Sequence, residues 1–405
     1  MNAKFYPAKL VGETEASSLK SMAMCYFVAS SIAEGQTQIY LKTESEDLTI
    51  LKDAFFDLGV NFDRNKNTYI VTRQKDLKDQ FYVRVGVKSS LSALRYLVPI
   101  ISATVNRCEY HGEGKLTKGD VTGAFCELKG VGFDSKALPI YASGRLKSGE
   151  YILTEKTHSQ TASALIMALA LVDGDSTIVF SEKPKKQLSA LINMTIKVMQ
   201  DFGVSATRDE EKVFVKGGQK YVAPLSPIVV SGNYATAGYF LMAKLLANDI
   251  QVTNLDQESL QPEKIILNYY KKLESANVEI DLKGKAGFIY LIVATACTFD
   301  RTTTFLNVKI KEKDTAKFND FISCMNGLGA LVTFDGQTVV VKGNSKLGAT
   351  QRLDTFGDSS LAMTYIILTT ALTEPVTILS VEAGMKEQST FLNEFRRLGG
   401  KCEVI

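Results

Sequence analysis

The sequence predicts a mixed α/β protein of the α+β type, with two globular domains that are each built from three repeated β-α-β-α-β-β units around buried parallel helices. Three observations carry this. Residues 301–343 read as one complete unit: alternation over 303–308 marks a strand, and Phe318, Phe321, Ile322, Met325 and Leu328 mark one face of a helix. Asp335-Gly336 between two alternating runs then marks a hairpin. The unit recurs along the chain at a spacing of ~70 residues, too long for the common solenoid repeats. A proline-containing stretch, residues 221–230, divides the copies three and three. The domains expected are 15–223, and 1–14 with 224–405, joined by a hinge that the chain crosses twice.

In chain order, the first copy has an apolar segment after Ser17-Ser18, a strand near 37–41, a helix over 48–60 and a hairpin over 61–73. The second starts at Ser89-Ser90 and closes with a strand around 138–141. The third starts at His158-Ser159-Gln160, with a second helix over 192–204 and a hairpin over 205–217. The fourth starts at Asn233 and is the shortest, so its hairpin is expected to be trimmed. The fifth is the 301–343 unit, preceded by the apolar segment 286–298. The sixth starts at Asp358-Ser359-Ser360 and ends at residue 405. In each copy one helix is apolar all round and is expected to be buried, while a second, amphipathic helix covers a sheet. Residues 4–10 read as a strand that returns to complete the second domain.

The totals narrow the function classes. With 405 residues, 45% hydrophobic and 22% charged, the chain can bury ample core. The longest apolar run, residues 288–297, is too short to span a bilayer, and the first residues lack the apolar stretch of a signal peptide, so a cytoplasmic location and no membrane partner are expected. Six cysteines stand singly in apolar contexts, which predicts buried reduced thiols and no metal site. A net charge of +3 from dispersed lysines and arginines predicts no nucleic-acid partner. The lysines at 183, 185 and 186 read as a solvated loop.

Five of the six buried helices start with small polar residues. Each alone is an ordinary N-cap. In a threefold globule, though, these helices run side by side with their N-termini on one face, where positive helix ends attract phosphates and carboxylates. Two such faces across a hinge would form a cleft for small anions.

The sixfold unit resembles the enolpyruvyl transferases, and the local strings are most similar to the 5-enolpyruvylshikimate-3-phosphate (EPSP) synthase family. They are Lys20-Ser21-Met22-Ala23, residues 93–100, residues 112–116, Ser159-Gln160, residues 309–314 and Gly357-Asp358. The UDP-N-acetylglucosamine enolpyruvyl transferases are less similar, since no counterpart of their cysteine loop occurs around 112–120. The resemblance implies an inside-out α/β barrel-like fold, a place in the shikimate pathway of aromatic amino acid biosynthesis, a monomer and no cofactor. It implies a reaction in which phosphoenolpyruvate (PEP) is protonated at its methylene carbon while the hydroxyl of a phosphorylated acceptor loses a proton, giving a tetrahedral adduct that expels phosphate. By resemblance Lys20, Lys311 and Glu312 are catalytic, with Glu312 the proton donor. Ser21, Arg95, Ser159, Gln160, Asp358 and Lys386 bind substrate, and His158, where the family has serine, caps a helix or meets phosphate.

The sequence departs from the family pattern at several of these places. Family arginines fall at Cys25, Gly119 and Thr315, a His-Arg pair at Ser359-Ser360, a glycine beside PEP at Leu91 and a basic aspartate at Gly287. Hydrogen bonds to charged groups contribute ~1.5–3 kcal/mol each and a general base ~10²–10⁴ in rate, so the site reads as depleted. Two readings therefore stand: a transferase with a depleted active site, and a non-catalytic descendant that binds another anion or a partner protein.

Overall fold

Parallel neighbouring strands cannot be joined by a tight turn; they need a crossover, and an apolar helix is the usual one. That requirement organises both parts of this chain. The computed structural model describes residues 1–405 except 276–278, 284–286, 349–351 and 388–389, and of 79, 386 and 387 the backbone only. It divides into one unit of Ser18–Ser231 with Leu260–Pro262, and another of Met1–Ser17, Gly232–Ser259 and Glu263–Ile405.

The 18–231 unit contains α1 (Lys20–Ile32), α2 (Glu46–Asp57), α3 (Leu91–Thr104), α4 (Ser159–Leu169) and α5 (Lys186–Asp201). It has three four-stranded sheets, each a parallel pair followed by an antiparallel hairpin. In the sheet ordered Gly149–Leu153, Ser176–Phe180, Lys212–Val215, Ala206–Arg208, the first two strands are parallel and α4 is their crossover. The sheet of Tyr82–Gly86, Arg107–His111, Ile140–Ser143 and Gly132–Phe133 repeats the plan with α3. In the remaining sheet the parallel partner of Gln36–Tyr40 is Ile228–Val229, from the far end of the unit. Residues 228–231, within the stretch expected to open the second domain, are thus hydrogen-bonded into the first. The apolar helices are buried as their composition dictates: α1 is buried continuously from Ala23 to Ile32, and α3 over 93–104 apart from Arg95.

The second copy lacks its expected amphipathic helix. Two short 3₁₀ turns, Gly114–Thr117 and Thr122–Phe125, take its place. Glycines at 119, 123 and 130 disfavour a continuous helix, and the Asp120 carboxylate accepts the N–H groups of Thr122 and Gly123 at 2.9 and 3.0 Å, an alternative to helical bonding. Cys126, at the end of the second turn, is exposed, whereas Cys25, Cys108 and Cys297 are buried; the expectation of uniformly buried thiols fails there.

The other unit contains α6 (Tyr234–Ala243), α7 (Ile266–Glu274), α8 (Ile289–Cys297), α9 (Thr315–Gly327), α10 (Ser359–Leu368), α11 (Gly384–Glu387) and α12 (Phe391–Arg397). The 301–343 unit forms as read, with strand Thr302–Leu306, helix α9 and the hairpin of Leu331–Phe334 with Val339–Lys342. The Asp335 carboxylate accepts the N–H groups of Gln337 and Thr338 at 2.9 and 2.6 Å, and Gly336 takes φ +101°. The N-terminal strand is Ala3–Tyr6, an inner strand between Val376–Leu379 and Lys401–Val404. The fourth copy keeps only a parallel pair, Asp249–Thr253 with Val11–Glu15. Among the described residues no helix is long and apolar enough to cross a membrane.

Candidate functional site

In the 18–231 unit the candidate residues sit within the first two turns of α1, α3 and α4. Lys20 and Ser21 open α1 after Leu19, which supplies no side-chain cap. The Ser18 hydroxyl, expected to cap this helix, instead accepts the Lys42 N–H at 2.9 Å, while the Ser18 N–H donates to Thr43 Oγ1 at 2.9 Å. This fixes the loop into α2, whose cap is Ser45. Asp47, in the first turn of α2, accepts from both the Lys20 ammonium and the Ser90 hydroxyl. Ser90 in turn caps α3 through the Ala93 N–H at 2.9 Å. Burial raises the Asp47 pKa, but hydrogen bonds from Lys20, Ser90 and Ser92 outweigh it and hold the carboxyl below its ordinary value. One carboxylate therefore ties three helix starts together.

Arg95 lies one turn further along α3. Its guanidinium donates to Gln160 Oε1 at 3.2 Å, and its Nε is buried without a partner. Burial holds its pKa below the ordinary value, with the Asp47 charge opposing. His158 caps α4: its Nδ1 accepts the Gln160 N–H at 3.2 Å, so the neutral ring carries its proton on Nε2. Burial, and then the Arg95 charge, lower the His158 pKa. His158 and Ser159 line a cavity of about 300 Å³ whose rim includes Lys156, Lys183 and Lys185. The structure thus brings Lys20, Arg95, His158, Ser159 and Gln160 to neighbouring helix ends.

In the other unit, Lys311 precedes the 3₁₀ turn Glu312–Asp314 that leads into α9, and both Lys311 and Glu312 are exposed. Asp358 caps α10: its Oδ1 accepts the N–H groups of Ser360 and Leu361 at 2.9 and 3.1 Å. Its Oδ2 accepts the Lys317 ammonium at 2.5 Å, and Asp314 lies 3.3 Å from the same ammonium. Lys386 is on α11, but its side chain is outside the described atoms.

At the replaced positions, Cys25 is fully buried, its Sγ 3.4 Å from Tyr96 Oη and 3.7 Å from Thr195 Oγ1, and burial pushes its thiol pKa up. It is a core group. Thr315 Oγ1 donates back to the Lys311 carbonyl at 3.3 Å. Leu91 is partly buried against the core, and Gly287 is exposed, with no atom of the described residues close to where its side chain would stand. Sequence reasoning did not single out Asp47 or Lys317; Lys183 and Lys185, read as a solvated loop, are exposed and also line the cavity. Only Asp47 had a signal, the capping string Ser45-Glu46-Asp47.

Compared with solved structures, this architecture is that of the enolpyruvyl transferases. EPSP synthase from Acinetobacter baumannii superimposes with a TM-score of 0.80 at 17% identity over 100% of both chains. The enolpyruvyl transferase NikO from Streptomyces tendae gives 0.67 at 13% identity over 99% of this chain and 98% of that one. Residues 6–289 match the family described as EPSP synthase (3-phosphoshikimate 1-carboxyvinyltransferase), and the chain belongs to the EPSP synthase family. Among similar proteins, the 3-phosphoshikimate 1-carboxyvinyltransferase of Clostridium beijerinckii is 25% identical over 428 residues, 98% of each chain. That of Clostridium kluyveri is 26% identical over 424 residues, 98% of this chain and 97% of its own.

Proposed function

We propose that this chain transfers the enolpyruvyl group of PEP to the hydroxyl of a phosphorylated acceptor of the shikimate 3-phosphate type, slowly for its family. The observation that supports this best is Arg95: a half-buried guanidinium whose one hydrogen-bond partner among the described residues is a neutral amide and whose Nε has none there. A charge so placed is stabilised by an anion. The cavity at His158 and Ser159 adds a neutral imidazole, a helix start and lysines suited to phosphate.

In this reading Lys20, Ser21, Gln160, Asp358 and Lys386 hold the two substrates. Glu312 gives a proton to the PEP methylene carbon while the acceptor oxygen bonds to the neighbouring carbon. The adduct then loses phosphate as the methyl group returns a proton to Glu312. Lys311 stabilises the charge that develops. With glycine at 287, no carboxylate there takes the hydroxyl proton, which passes to water instead, and this deprotonation is the slow step.

Phosphate release from PEP with shikimate 3-phosphate tests the proposal, and Glu312→Gln should abolish it; an unchanged rate removes Glu312 from the mechanism. The buried Cys25 and Thr315, whose hydroxyl is bonded to the Lys311 carbonyl, favour a second reading, a non-catalytic anion binder. Ligand-induced thermal stabilisation without any phosphate release would decide for it.

A further inference from the structure

Lys317 is unlike the other lysines near it. It is the third residue of α9, yet its ammonium reaches Asp358, the cap of α10, at 2.5 Å and lies 3.3 Å from Asp314. Tyr290, in the first turn of α8, lies near enough for the Lys317 charge to act on its hydroxyl. The Tyr290 ring packs on Phe318 and Phe321 of α9, with centroids 5.9 and 5.1 Å apart. The ammonium is therefore fixed where the first turns of α8, α9 and α10 meet, and its side chain is only 23% exposed.

We infer that Lys317 receives the carboxylate of the enolpyruvyl donor, an inference that rests on the transferase reading above. A cation held in place binds an anion without further loss of side-chain freedom, which the exposed Lys309, Lys311 and Lys313 must each give up. An ammonium has three donors; Asp358 and Asp314 take two, and the third has no acceptor among the described residues. The adjacent Thr315 hydroxyl is committed to the Lys311 carbonyl and offers nothing in its place.

Charge selects the ligand group. Four lysines, at 309, 311, 313 and 317, stand against Glu312, Asp314 and Asp358, and Asp358 also meets the N–H groups of α10. The balance is slightly positive, but two carboxylates stay beside the ammonium. Those two carboxylates outnumber the one ammonium they hold, and this local excess of negative charge opposes a dianionic phosphate about twice as strongly as a singly charged carboxylate at the same distance.

The test is PEP affinity by calorimetry, with KM for both substrates, in the wild type, Lys317→Met and Asp314→Asn. Lys317→Met should weaken PEP at least tenfold and leave the acceptor KM within about twofold. Asp314→Asn, which removes a competing carboxylate and keeps the lysine, should tighten PEP severalfold. A lysine that only pins α9 to α10 would lower Tm in the variants and leave PEP affinity unchanged, which overturns the inference. If Lys317→Met fails to fold, Asp314→Asn decides, and unchanged or weaker PEP binding overturns it. Lys317-dependent PEP binding with no phosphate release from the wild type would sink the transferase reading and leave this one standing. No PEP binding by the wild type sinks both.

Discussion

His158 has two jobs that depend on its protonation. Its Nδ1 caps α4, and its ring lines the cavity beside Arg95. Burial and the Arg95 charge keep its folded pKa below the ordinary value. In the unfolded chain histidine titrates near ~6.5, so as pH falls the unfolded state binds the proton first. Stability that is complete above that value is lost as pH falls toward the lower folded pKa, and not beyond it. Urea midpoints measured from about pH 7.5 to 5.5 should therefore fall in the wild type. His158→Asn keeps a capping acceptor and should lose that part of the decline; equal slopes would assign the titration elsewhere. Side chains such as Asp47 and Lys317 acquire their importance from partners remote in sequence, Ser90 and Asp358, which is why the sequence did not single them out.

Among the elements, the hairpin after α9 is the clearest case of local code becoming structure. Asp335 accepts two N–H groups of the turn, and Gly336 supplies the φ of +101° that an L side chain adopts only with strain. Space around Gly336 is open, so substitution there tests backbone strain alone. Gly336→Ala should cost about 1 kcal/mol in denaturant unfolding, with the m-value unchanged. A neutral result would mean the turn relaxes to another type. Caps were legible by type at Ser90, Asn233 and Asp358, which do accept helix N–H groups. At α4 the cap is His158, one of the two roles expected of it, with Ser159 the first helical residue, and at α1 Ser18 turns to the neighbouring loop. Small polar residues side by side compete for one role, and the tertiary neighbours settle which of them fills it.

The whole molecule is two units with separate cores, and their sequence limits interleave because strands are exchanged along the chain. The strand Ala3–Tyr6 is the sheet partner of Lys401–Val404, so removing residues 1–7 leaves the C-terminal strand without a neighbour. Hydrogen exchange on that truncated chain should show lost protection in residues 376–405, with the amides of α3 and α4 as slow as before. Equal loss in both units would contradict this division. The sequence by itself determined the repeat, the apolar helices and the family resemblance, because these rest on local periodicity and on short strings read in order along the chain. Only the tertiary structure decided that Ile228–Val229 pairs with the first copy, that Cys25 is sealed in the core, and that Lys317 stands at three helix starts. Each depends on long-range packing, in which a side chain's charge, burial and partners come from chain roughly a hundred to several hundred ångströms of contour away.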